Sequence, residues 1–418
     1  MTDLDRVCLN AIIAILEDGG YANLVLKEQS AKLDSEKSRA VYACVYTLLE
    51  HLLTLDYILS HYCARQKRVV RNILRLALCR LLYMNVPPYA VVDSAVALCK
   101  RTGKRESGGL VNAVLRKIAA DAPAALPKLP SDPILRLSLE FSYPEWLVRH
   151  FAGFLGLDGT RALFSAPKTG MELRAQHPFT TDELAAALPV PFEPGSIVSD
   201  CLRLKQGLDI EKFLPFIEGK CTVQSQGSMC VCRAIGELHG KTVLDACAAP
   251  GGKSAYIYSL SGGTANIYAR DLAPHRVELI KSTLARLSVP ANVRLGDAAV
   301  YDPALEKSFD VVLLDVPCSG LGLLNEKPDI RYKKSEADIR SLAELQSAIL
   351  GICCAYVKPG GLLVYSTCTI SPVENERQVE LFLKGHGNFA PVPGKMRQLM
   401  PHTDGVDGFF YAVLKRCS

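Results

Sequence analysis

From about residue 240 onward, short apolar runs alternate with amphipathic segments, and this pattern restricts the possible folds more than any other feature of the chain. The apolar runs read KTVLDACA, ANIYARD, NVRLGD, FDVVLLDVP and GGLLVYST, whereas GGKSAYIYSLS and PHRVELIKSTLARLS have helical spacing. Nearly continuous apolar strands are typical of parallel strands that are buried on both faces. The pattern therefore predicts a doubly wound α/β domain, in which ligands bind at the carboxyl ends of the strands.

The segment before about residue 120 has apolar residues at helical spacing and an excess of positive charge. Residues 65 to 117 contain 12 Lys or Arg and 2 Asp or Glu, a local net charge of +10, whereas the whole chain carries +5 and the remainder therefore −5. In RQKRVVRNILRLALCRLLYM the helical period brings Arg68, Arg71 and Arg75 near one another. This face could bind phosphates or could be an ordinary solvated helix face, and the charge pattern alone does not decide between them.

Four prolines in DAPAALPKLPSDP, residues 121 to 133, predict a stiff linker, because proline lacks an amide proton and fixes its own φ. A helix is predicted for YPEWLVRHFAGFLG. The short strands MELRAQ, CLRLKQ and KCTVQ then surround one helix, which the capping box Thr180-x-x-Glu183 announces. We expect three domains: a helical domain (1–125), a linker with a small α+β module (126–235) and the α/β domain (236–418).

The 15 cysteines could form a disulfide framework in a secreted protein, but the start MTDLDRVCLN lacks the basic and apolar regions of a signal peptide. No run of about 18 uncharged apolar residues is present, so a membrane span is not expected. The cysteines also lack Cys-x-x-Cys spacing, which disfavours a metal site. We therefore expect thiols in a reducing cytoplasm, most of them small buried apolar residues.

The segment VLDACAAPGGKS, residues 243 to 254, is a strand that enters a glycine-rich turn and opens a helix. It lacks the G-x-G-x-x-G of a dinucleotide site, and Cys247 stands where a P-loop needs its first glycine. A nucleoside ligand without a pyrophosphate, such as S-adenosylmethionine, remains. Asp271 ends the next strand 19 residues after Gly252, the spacing at which an acidic group meets ribose hydroxyls. Asp297 and Asp315 end the two strands that follow.

The motifs DACAAPGGK, DVPCSGLG, KPDIRY, KPGGLLVYSTCT, VENE and DGFFYAVLKR resemble, in this order, those of the Fmu/Sun family of RNA methyltransferases, which make 5-methylcytosine. GLVNAVLRKI and the helices before it resemble the NusB-like RNA-binding domain of the RsmB-type members, which act on the small ribosomal subunit. The resemblance covers essentially the whole chain. The chain departs from the family pattern at TVQS, which ends on Ser225, and at LRAQ (173–176).

The resemblance implies S-adenosylmethionine-dependent methylation of carbon 5 of one cytosine in 16S rRNA. It makes Cys368 the nucleophile and Cys318 the residue that assists product release, with Asp315 at the cytosine edge and Lys253 near an anionic group of donor or substrate. Only the resemblance sets the order of the cysteines, since in DNA methyltransferases that make the same product the Pro-Cys cysteine attacks. We expect a monomer, because no heptad pattern is present.

The candidate residues form two further groups. Those expected to bind the methyl donor are Cys247, Ala248, Ala249, Pro250, Gly251, Gly252, Lys253, Asp271, Arg276, Asp297 and Asp315. Those expected to bind RNA are Arg68, Arg71, Arg75, Lys104 and Arg105. Two alternatives stay open: the same chemistry on tRNA or another rRNA, and a non-catalytic RNA-binding assembly factor.

Overall fold

The computed structural model describes residues 2–64, 66–122 and 127–417, so residues 123–126 of the predicted linker lie outside the described part. The chain forms two compact units. The helical unit comprises Met1–Ser165 with Lys327–Lys333, and the α/β unit comprises Ala166–Glu326 with Lys334–Ser418. The segment 327–333, which includes KPDIRY, therefore belongs to the helical unit although the predicted third domain contains it. The three-domain division stays a prediction.

The helical unit is built from amphipathic helices around one apolar core. Its α-helices within the described residues are α1 (Thr2–Leu16), α2 (Ala22–Ser30), α3 (Ser35–Glu50), α4 (Leu52–Tyr62), α5 (Arg68–Tyr83), α6 (Pro88–Arg101), α7 (Gly108–Asp121), α8 (Pro133–Phe141) and α9 (Glu145–Phe164). Leu, Ile and Val side chains of α1 and α3 to α7 fill the core, together with the buried thiols of Cys8, Cys44, Cys79 and Cys99. The predicted all-helical N-terminal fold is confirmed.

The small α+β module opens the α/β unit. Its strands β1 (Glu172–Ala175), β2 (Phe192–Pro194), β3 (Cys201–Leu204) and β4 (Cys221–Val223) form an antiparallel sheet in the order β2-β3-β1-β4. The accompanying helices are α10 (Thr181–Ala187), α11 (Leu214–Ile217) and α12 (Gln226–Ile235). The predicted capping box is present, because Thr180 accepts from the Glu183 amide and Glu183 accepts from the Thr180 amide.

A larger sheet follows, with the order β10-β11-β9-β8-β5-β6-β7. Its strands are β5 (Thr242–Asp245), β6 (Asn266–Asp271), β7 (Ala291–Leu295), β8 (Phe309–Asp315), β9 (Val357–Thr367), β10 (Phe389–Leu399) and β11 (Phe409–Arg416). The helices are α13 (Gly252–Leu260), α14 (Pro274–Arg286), α15 (Glu336–Cys353), α16 (Glu376–Gly385) and α17 (Pro401–Asp404). Strands β5 to β9 pair in parallel, and β11 pairs antiparallel with both β9 and β10. The predicted α/β fold is confirmed, with a mostly parallel sheet.

The central strand β8 explains why these strands are continuously apolar. Val311 and Leu313 pack into the core on one face of the sheet, and Val312 and Leu314 pack into a second core on the other face. All four side chains are at most 2% exposed. Since both faces are covered, the positions between the strand ends need apolar side chains. The two polar residues of the strand, Asp310 near its start and Asp315 at its end, are the partly exposed ones.

All 15 cysteines fall within the described residues, and each is a thiol rather than half of a disulfide. The described residues contain no group of three or more His, Cys, Asp or Glu side chains arranged to hold a metal ion. Among the helices described, none combines the length and the hydropathy that crossing a membrane requires.

Candidate active site

The two cysteines that the sequence analysis singled out meet at the carboxyl ends of adjacent parallel strands. Strands β8 and β9 pair so that Asp315 lies opposite Ser366. The chain leaving β8 reaches Cys318 after Val316 and Pro317, and Cys368 directly follows the end of β9. The Sγ atoms of Cys318 and Cys368 are 3.2 Å apart, and both residues are half-buried. Parallel pairing thus brings together two thiols that are 50 positions apart in the sequence.

The carboxylate of Asp315 lies at the same edge of the sheet and is held from both sides. Its Oδ2 is 2.6 Å from Lys253 Nζ, which comes from the first turn of α13, and its Oδ1 accepts from Ser366 Oγ at 2.9 Å. Burial opposes the charge of Lys253, but Asp315 outweighs it, so the pKa of Lys253 is raised. The Lys253 ammonium also lies 5.0 Å from the centroid of the Phe409 ring. Lys253 and Asp315 therefore form a partly buried ion pair.

The environment of Cys318 favours the protonated thiol. The hydrogen bond with Cys368 is the main cause that raises the pKa of Cys318, and burial raises it further. Either sulfur can donate the hydrogen bond that joins the two thiols. A hydrogen bond of this kind stabilises negative charge on the acceptor, so a protonated thiol at one position favours a thiolate at the other.

The loops that carry the two thiols are connected through the backbone. The amide of Gly322 donates to the carbonyl of Cys368 at 3.0 Å, and the amide of Gly408 donates to the carbonyl of Gly322 at 2.9 Å. A Cβ at Gly322 would lie 1.9 Å from the Gly408 carbonyl oxygen, so only glycine permits this approach. Gly320 has a φ of +74°, which also favours glycine.

The glycine-rich turn after β5 provides a second set of polar groups at this edge. Gly251 has a φ of +104° and precedes α13, whose first residue is Gly252. Asp271 Oδ2, at the end of β6, accepts from the Ala249 amide at 3.2 Å, and Arg276 Nη1 lies 3.7 Å from Asp271 Oδ1. Asp297, in the loop after β7, accepts from the Ala299 amide. Asp271 and Asp315 therefore contact the turn and the start of α13, through the Ala249 amide and Lys253. The prediction that Asp297 ends a strand is wrong, because β7 ends at Leu295 and Asp297 lies two residues further on.

Asp245, the last residue of β5, has one carboxyl oxygen that no described protein group binds. Its Oδ2 accepts from Ser254 Oγ at 2.6 Å, while its buried Oδ1 has no hydrogen-bond partner among the described residues. Burial raises the pKa of Asp245 to about 7. Unpartnered acceptors of this kind suit the hydroxyl and amino groups of a nucleoside. Cys247 and Ala248 to Pro250 form the wall of the turn.

Two contacts were missed in the sequence analysis. Arg174 on β1 is fully buried and donates to Gln224 Oε1 at 2.5 Å and to the Gly252 carbonyl at 3.3 Å, so the small module supports the turn. Ser225, one of the departures from the family pattern, caps α12 by accepting from the Ser228 amide. Both contacts involve LRAQ and TVQS, the two segments in which the chain differs from the family pattern. The sequence of these segments does not reveal which groups they bind.

The arginines predicted to contact RNA are engaged within the helical unit. Arg68 pairs with Asp18, and Arg71 Nη2 lies 2.6 Å from Glu17 Oε1. Arg75 is 7% exposed, and its Nε donates to Asp56 Oδ1 at 2.7 Å. Lys104 is half-buried and Arg105 is exposed, next to the start of α7. Each of the first three residues therefore forms an ion pair with an acidic side chain of the helical unit. The RNA contacts of all five residues stay a prediction.

The chain matches known proteins over its full length. The family model for the 16S rRNA methyltransferase RsmB/F matches residues 235–415, and that for the NusB family matches residues 6–120. A probable ribosomal RNA small subunit methyltransferase B of Bacillus subtilis (strain 168) is 33% identical over 445 residues, 99% of each chain. The ribosomal RNA small subunit methyltransferase B of Yersinia pestis bv. Antiqua (strain Angola) is 29% identical, over 99% of this chain and 98% of that one.

A solved structure, that of PH0851, has the same overall fold, with a TM-score of 0.83 over 98% of both chains at 24% sequence identity. Both resemblances seen in the sequence, to the methyltransferase family and to the NusB-like domain, are therefore confirmed. With a relative of this identity along its whole length, the chain belongs to the RsmB/F family of 16S rRNA methyltransferases and carries a NusB-type helical domain at its N-terminus.

Proposed function

We propose that this chain methylates carbon 5 of one cytosine in 16S rRNA, with S-adenosylmethionine as methyl donor and a covalent cysteine adduct as intermediate. The observation that carries the proposal is the 3.2 Å approach of the Cys318 and Cys368 sulfurs beside the Asp315 carboxylate. Two thiols and one carboxylate at a single sheet edge are the groups that this reaction needs.

The thiols address the low reactivity of the cytosine ring. Carbon 5 is a poor nucleophile, but addition of the Cys368 thiolate to carbon 6 moves an electron pair to carbon 5, which can then bond to a methyl group. A base then takes the carbon-5 proton, the electron pair of that C–H bond restores the ring double bond, and the Cys368 sulfur leaves carbon 6 as a thiolate. The hydrogen bond from Cys318 supports the negative charge on Cys368 before attack, and we assign Cys318 to the release step.

Asp315 orients the base and responds to its charge. A carboxylate offers about four lone-pair positions, and Lys253 and Ser366 each use one of those of Asp315. The remaining positions can accept from the exocyclic amino group of cytosine. Because the ion pair with Lys253 fixes the carboxylate in advance, no reorganisation is needed as charge develops on the ring.

The residues around the glycine-rich turn fit the methyl donor. S-adenosylmethionine, when bound, supplies an electrophilic methyl group. The backbone of residues 247–252 would lie against the donor, Asp271 would accept from its ribose hydroxyls, and Asp297 would accept from its adenine amino group. Arg276 holds Asp271, and the unpartnered Oδ1 of Asp245 is a further acceptor at the same place.

The substrate assignment is supported by the family and by the charge of the helical unit. Relatives along the whole chain are named for the small ribosomal subunit RNA. Residues 65 to 117 carry a net charge of +10, which favours a polyanion. The target base has to be unstacked before a thiol can reach carbon 6, so we expect it in a loop or in an incompletely assembled particle. We also propose that the chain acts as a monomer in the cytoplasm.

Methyl transfer from labelled S-adenosylmethionine to 16S rRNA tests the proposal, with bisulfite sequencing to locate 5-methylcytosine. Cys368→Ala should abolish transfer because the ring is no longer activated. Cys318→Ala should instead accumulate a covalent protein–RNA adduct on a denaturing gel because release is blocked. Cys417→Ala, which removes an exposed thiol, serves as the matched control and should behave as the wild type. Full turnover by Cys318→Ala without an adduct would contradict the assigned roles.

A further inference from the structure

A buried carboxyl group that the reaction does not use lies directly behind the two thiols. Glu374, in the segment VENE before α16, is 0% exposed. A buried acidic side chain is costly unless donors satisfy both of its oxygens. The partners of Glu374 therefore indicate what its place in the fold achieves.

The Glu374 carboxyl group binds the residue that follows each cysteine. Its Oε1 accepts from the Ser319 amide at 2.8 Å, and its Oε2 accepts from Ser319 Oγ at 2.5 Å. The same Oε2 accepts from Thr369 Oγ1 at 3.3 Å. The two hydroxyl oxygens also lie 2.9 Å apart, which closes a triangle. One side chain thus joins the loop of Cys318 to the loop of Cys368.

Two further side chains hold Glu374 in place, one through its carboxyl group and one through its backbone carbonyl. Gln346 on α15 donates from Nε2 to Glu374 Oε1 at 3.1 Å and to the Pro317 carbonyl at 2.9 Å. Tyr365 on β9 donates its hydroxyl to the Glu374 carbonyl at 2.6 Å. Gln346 and Tyr365 are fully buried. The position of Glu374 is therefore set by a helix and a strand of the rigid core.

The next residue, Asn375, binds the residues on both sides of Cys368. Its Oδ1 accepts from Thr367 Oγ1 at 2.6 Å, and its Nδ2 donates to the Thr369 carbonyl at 3.0 Å. Asn375 is also 0% exposed. Successive residues of one motif therefore hold Cys368 in place and tie its loop to that of Cys318.

Strand pairing alone does not explain the short distance between the sulfurs. The ladder of β8 and β9 ends at Asp315 and Ser366, whereas Cys318 lies three residues beyond the first of these and Cys368 two residues beyond the second. Loop residues outside a ladder need other contacts to hold one conformation. The Gly322 amide and the contact between the Ser319 and Thr369 hydroxyls also join these loops. Glu374 is the side chain that binds both of those hydroxyl groups.

We propose that Glu374 is a positioning residue, which holds the Cys318 and Cys368 loops in the one register that brings the two sulfurs together. Its effect on the methylation rate rests on the proposed function, but its effect on the distance between the sulfurs does not. A displacement of about 1 Å at a reacting group can lower a rate by about 100-fold. Glu374 acts on the reaction only through the two thiols.

Oxidative cross-linking measures the approach of the sulfurs without any substrate. Diamide, an azo oxidant, takes up two electrons and two protons from a thiol pair and leaves a disulfide. Peptide mass spectrometry then follows the Cys318–Cys368 link over time. We expect rapid formation in the wild type and about tenfold slower formation in Glu374→Gln and Glu374→Ala. Glu380→Gln, an exposed position on α16, is the matched control and should match the wild type.

Single-turnover methyl transfer gives the second readout. Glu374→Ala should lower the rate by about 100-fold, with little change in RNA affinity, because the Glu374 side chain is fully buried and cannot contact RNA. Unchanged cross-linking in both Glu374 variants, or absence of the cross-link in the wild type, would overturn the proposal. If cross-linking depends on Glu374 but the wild type methylates no RNA, the positioning role stands and the proposed function fails.

Removal of a buried carboxyl group that accepts four hydrogen bonds also lowers stability, so the melting temperature of each variant is measured. If Glu374→Ala does not fold, Glu374→Gln and Ser319→Ala test the positioning role instead. Each removes only part of the hydrogen bonding, and each should still slow the cross-link. Thr369→Ser, which keeps the hydroxyl, should retain the wild-type cross-linking rate. Wild-type cross-linking rates in both Glu374→Gln and Ser319→Ala would then reject the positioning role.

Discussion

Two groups of charged residues were predicted from the sequence to be functional, and their surroundings in the structure differ. In the α/β unit, Asp315 and Lys253 come from distant positions and form one ion pair beside the thiols. In the helical unit, Arg71 and Arg75 lie one turn apart on α5, and nearby acidic residues bind both. The first group lies beside the two thiols of the proposed site, whereas the arginines of the second group form ion pairs within their own unit.

The difference has a topological origin. In a parallel sheet every strand delivers its carboxyl end to the same edge, so polar residues at these ends converge regardless of their separation in sequence. The positions of arginines on a helix define only a face, and what covers that face depends on packing against other helices. Strand-end residues are therefore the safer guide to a site, and three experiments test this difference between the two groups.

The largest effect is expected from Asp315→Asn. The amide lacks the negative charge that pairs with Lys253, and its NH₂ group cannot accept from the cytosine amino group. Loss of one such prearranged group lowers kcat by about 100- to 1,000-fold. Single-turnover methyl transfer to 16S rRNA measures the change.

The same strand offers a matched control for this substitution. Asp310, at the amino end of β8, pairs with Lys358 at 3.0 Å and accepts from the Thr242 amide. Asp310→Asn also removes an Asp–Lys pair from β8, but at the opposite edge of the sheet. It should lower stability by about 1 kcal/mol and leave the rate unchanged. Equal losses of rate in both variants would show that the edge of the sheet does not matter.

Much of the fold could be predicted from local sequence patterns, because the residues that define these elements are close to one another in the sequence. The strands β5 to β9 and the capping box of Thr180 and Glu183 are set by neighbours in the sequence, and all were predicted. The meeting of Cys318 and Cys368 followed from the strand-end rule together with the family resemblance. Local patterns of this kind are informative whenever burial on both faces dictates the residue type.

The parts that escaped prediction depend on partners far away in the sequence. The carboxylate that pairs with Lys253 is 62 positions away, and Arg75 finds Asp56 on the preceding helix. The motif KPDIRY gave no sign that Arg331 would donate to the Phe141 carbonyl in the helical unit. Glu374 was visible only as a letter in VENE. Side-chain partners of this kind are fixed by packing, which spacing does not encode.

An effect on stability rather than on rate is expected at Asp245, where it depends on pH. Its folded pKa of about 7 lies above the ordinary value of 3.8, so the folded chain binds this proton more tightly than the unfolded chain. Stability contributed by the proton is therefore present below about pH 4 and is lost as the pH rises to about 7. The steepest loss is about 1.4 kcal/mol per pH unit.

Urea unfolding between pH 4 and 8 measures this contribution as the difference between wild type and Asp245→Asn. The amide does not titrate, so the wild type should lose stability relative to the variant as the pH rises towards 7, with no further change above it. Asp182→Asn, at an exposed position of α10, should follow the wild type throughout. A constant difference between wild type and Asp245→Asn would mean that Asp245 does not hold a proton near neutral pH.

The smallest effect should separate the two kinds of basic residue in the helical unit. Each phosphate contact steepens the dependence of log K on log salt by about 0.7 to 0.9. Arg105→Ala should reduce the slope for 16S rRNA binding by about this amount, because Arg105 is exposed. Arg75→Met should leave the slope unchanged and instead lower the melting temperature, since Asp56 binds the guanidinium. Lys281→Ala on α14, outside the predicted RNA face, is the control. A lower slope in Arg75→Met at unchanged stability would reverse the contrast and give the buried arginine a direct role in RNA binding.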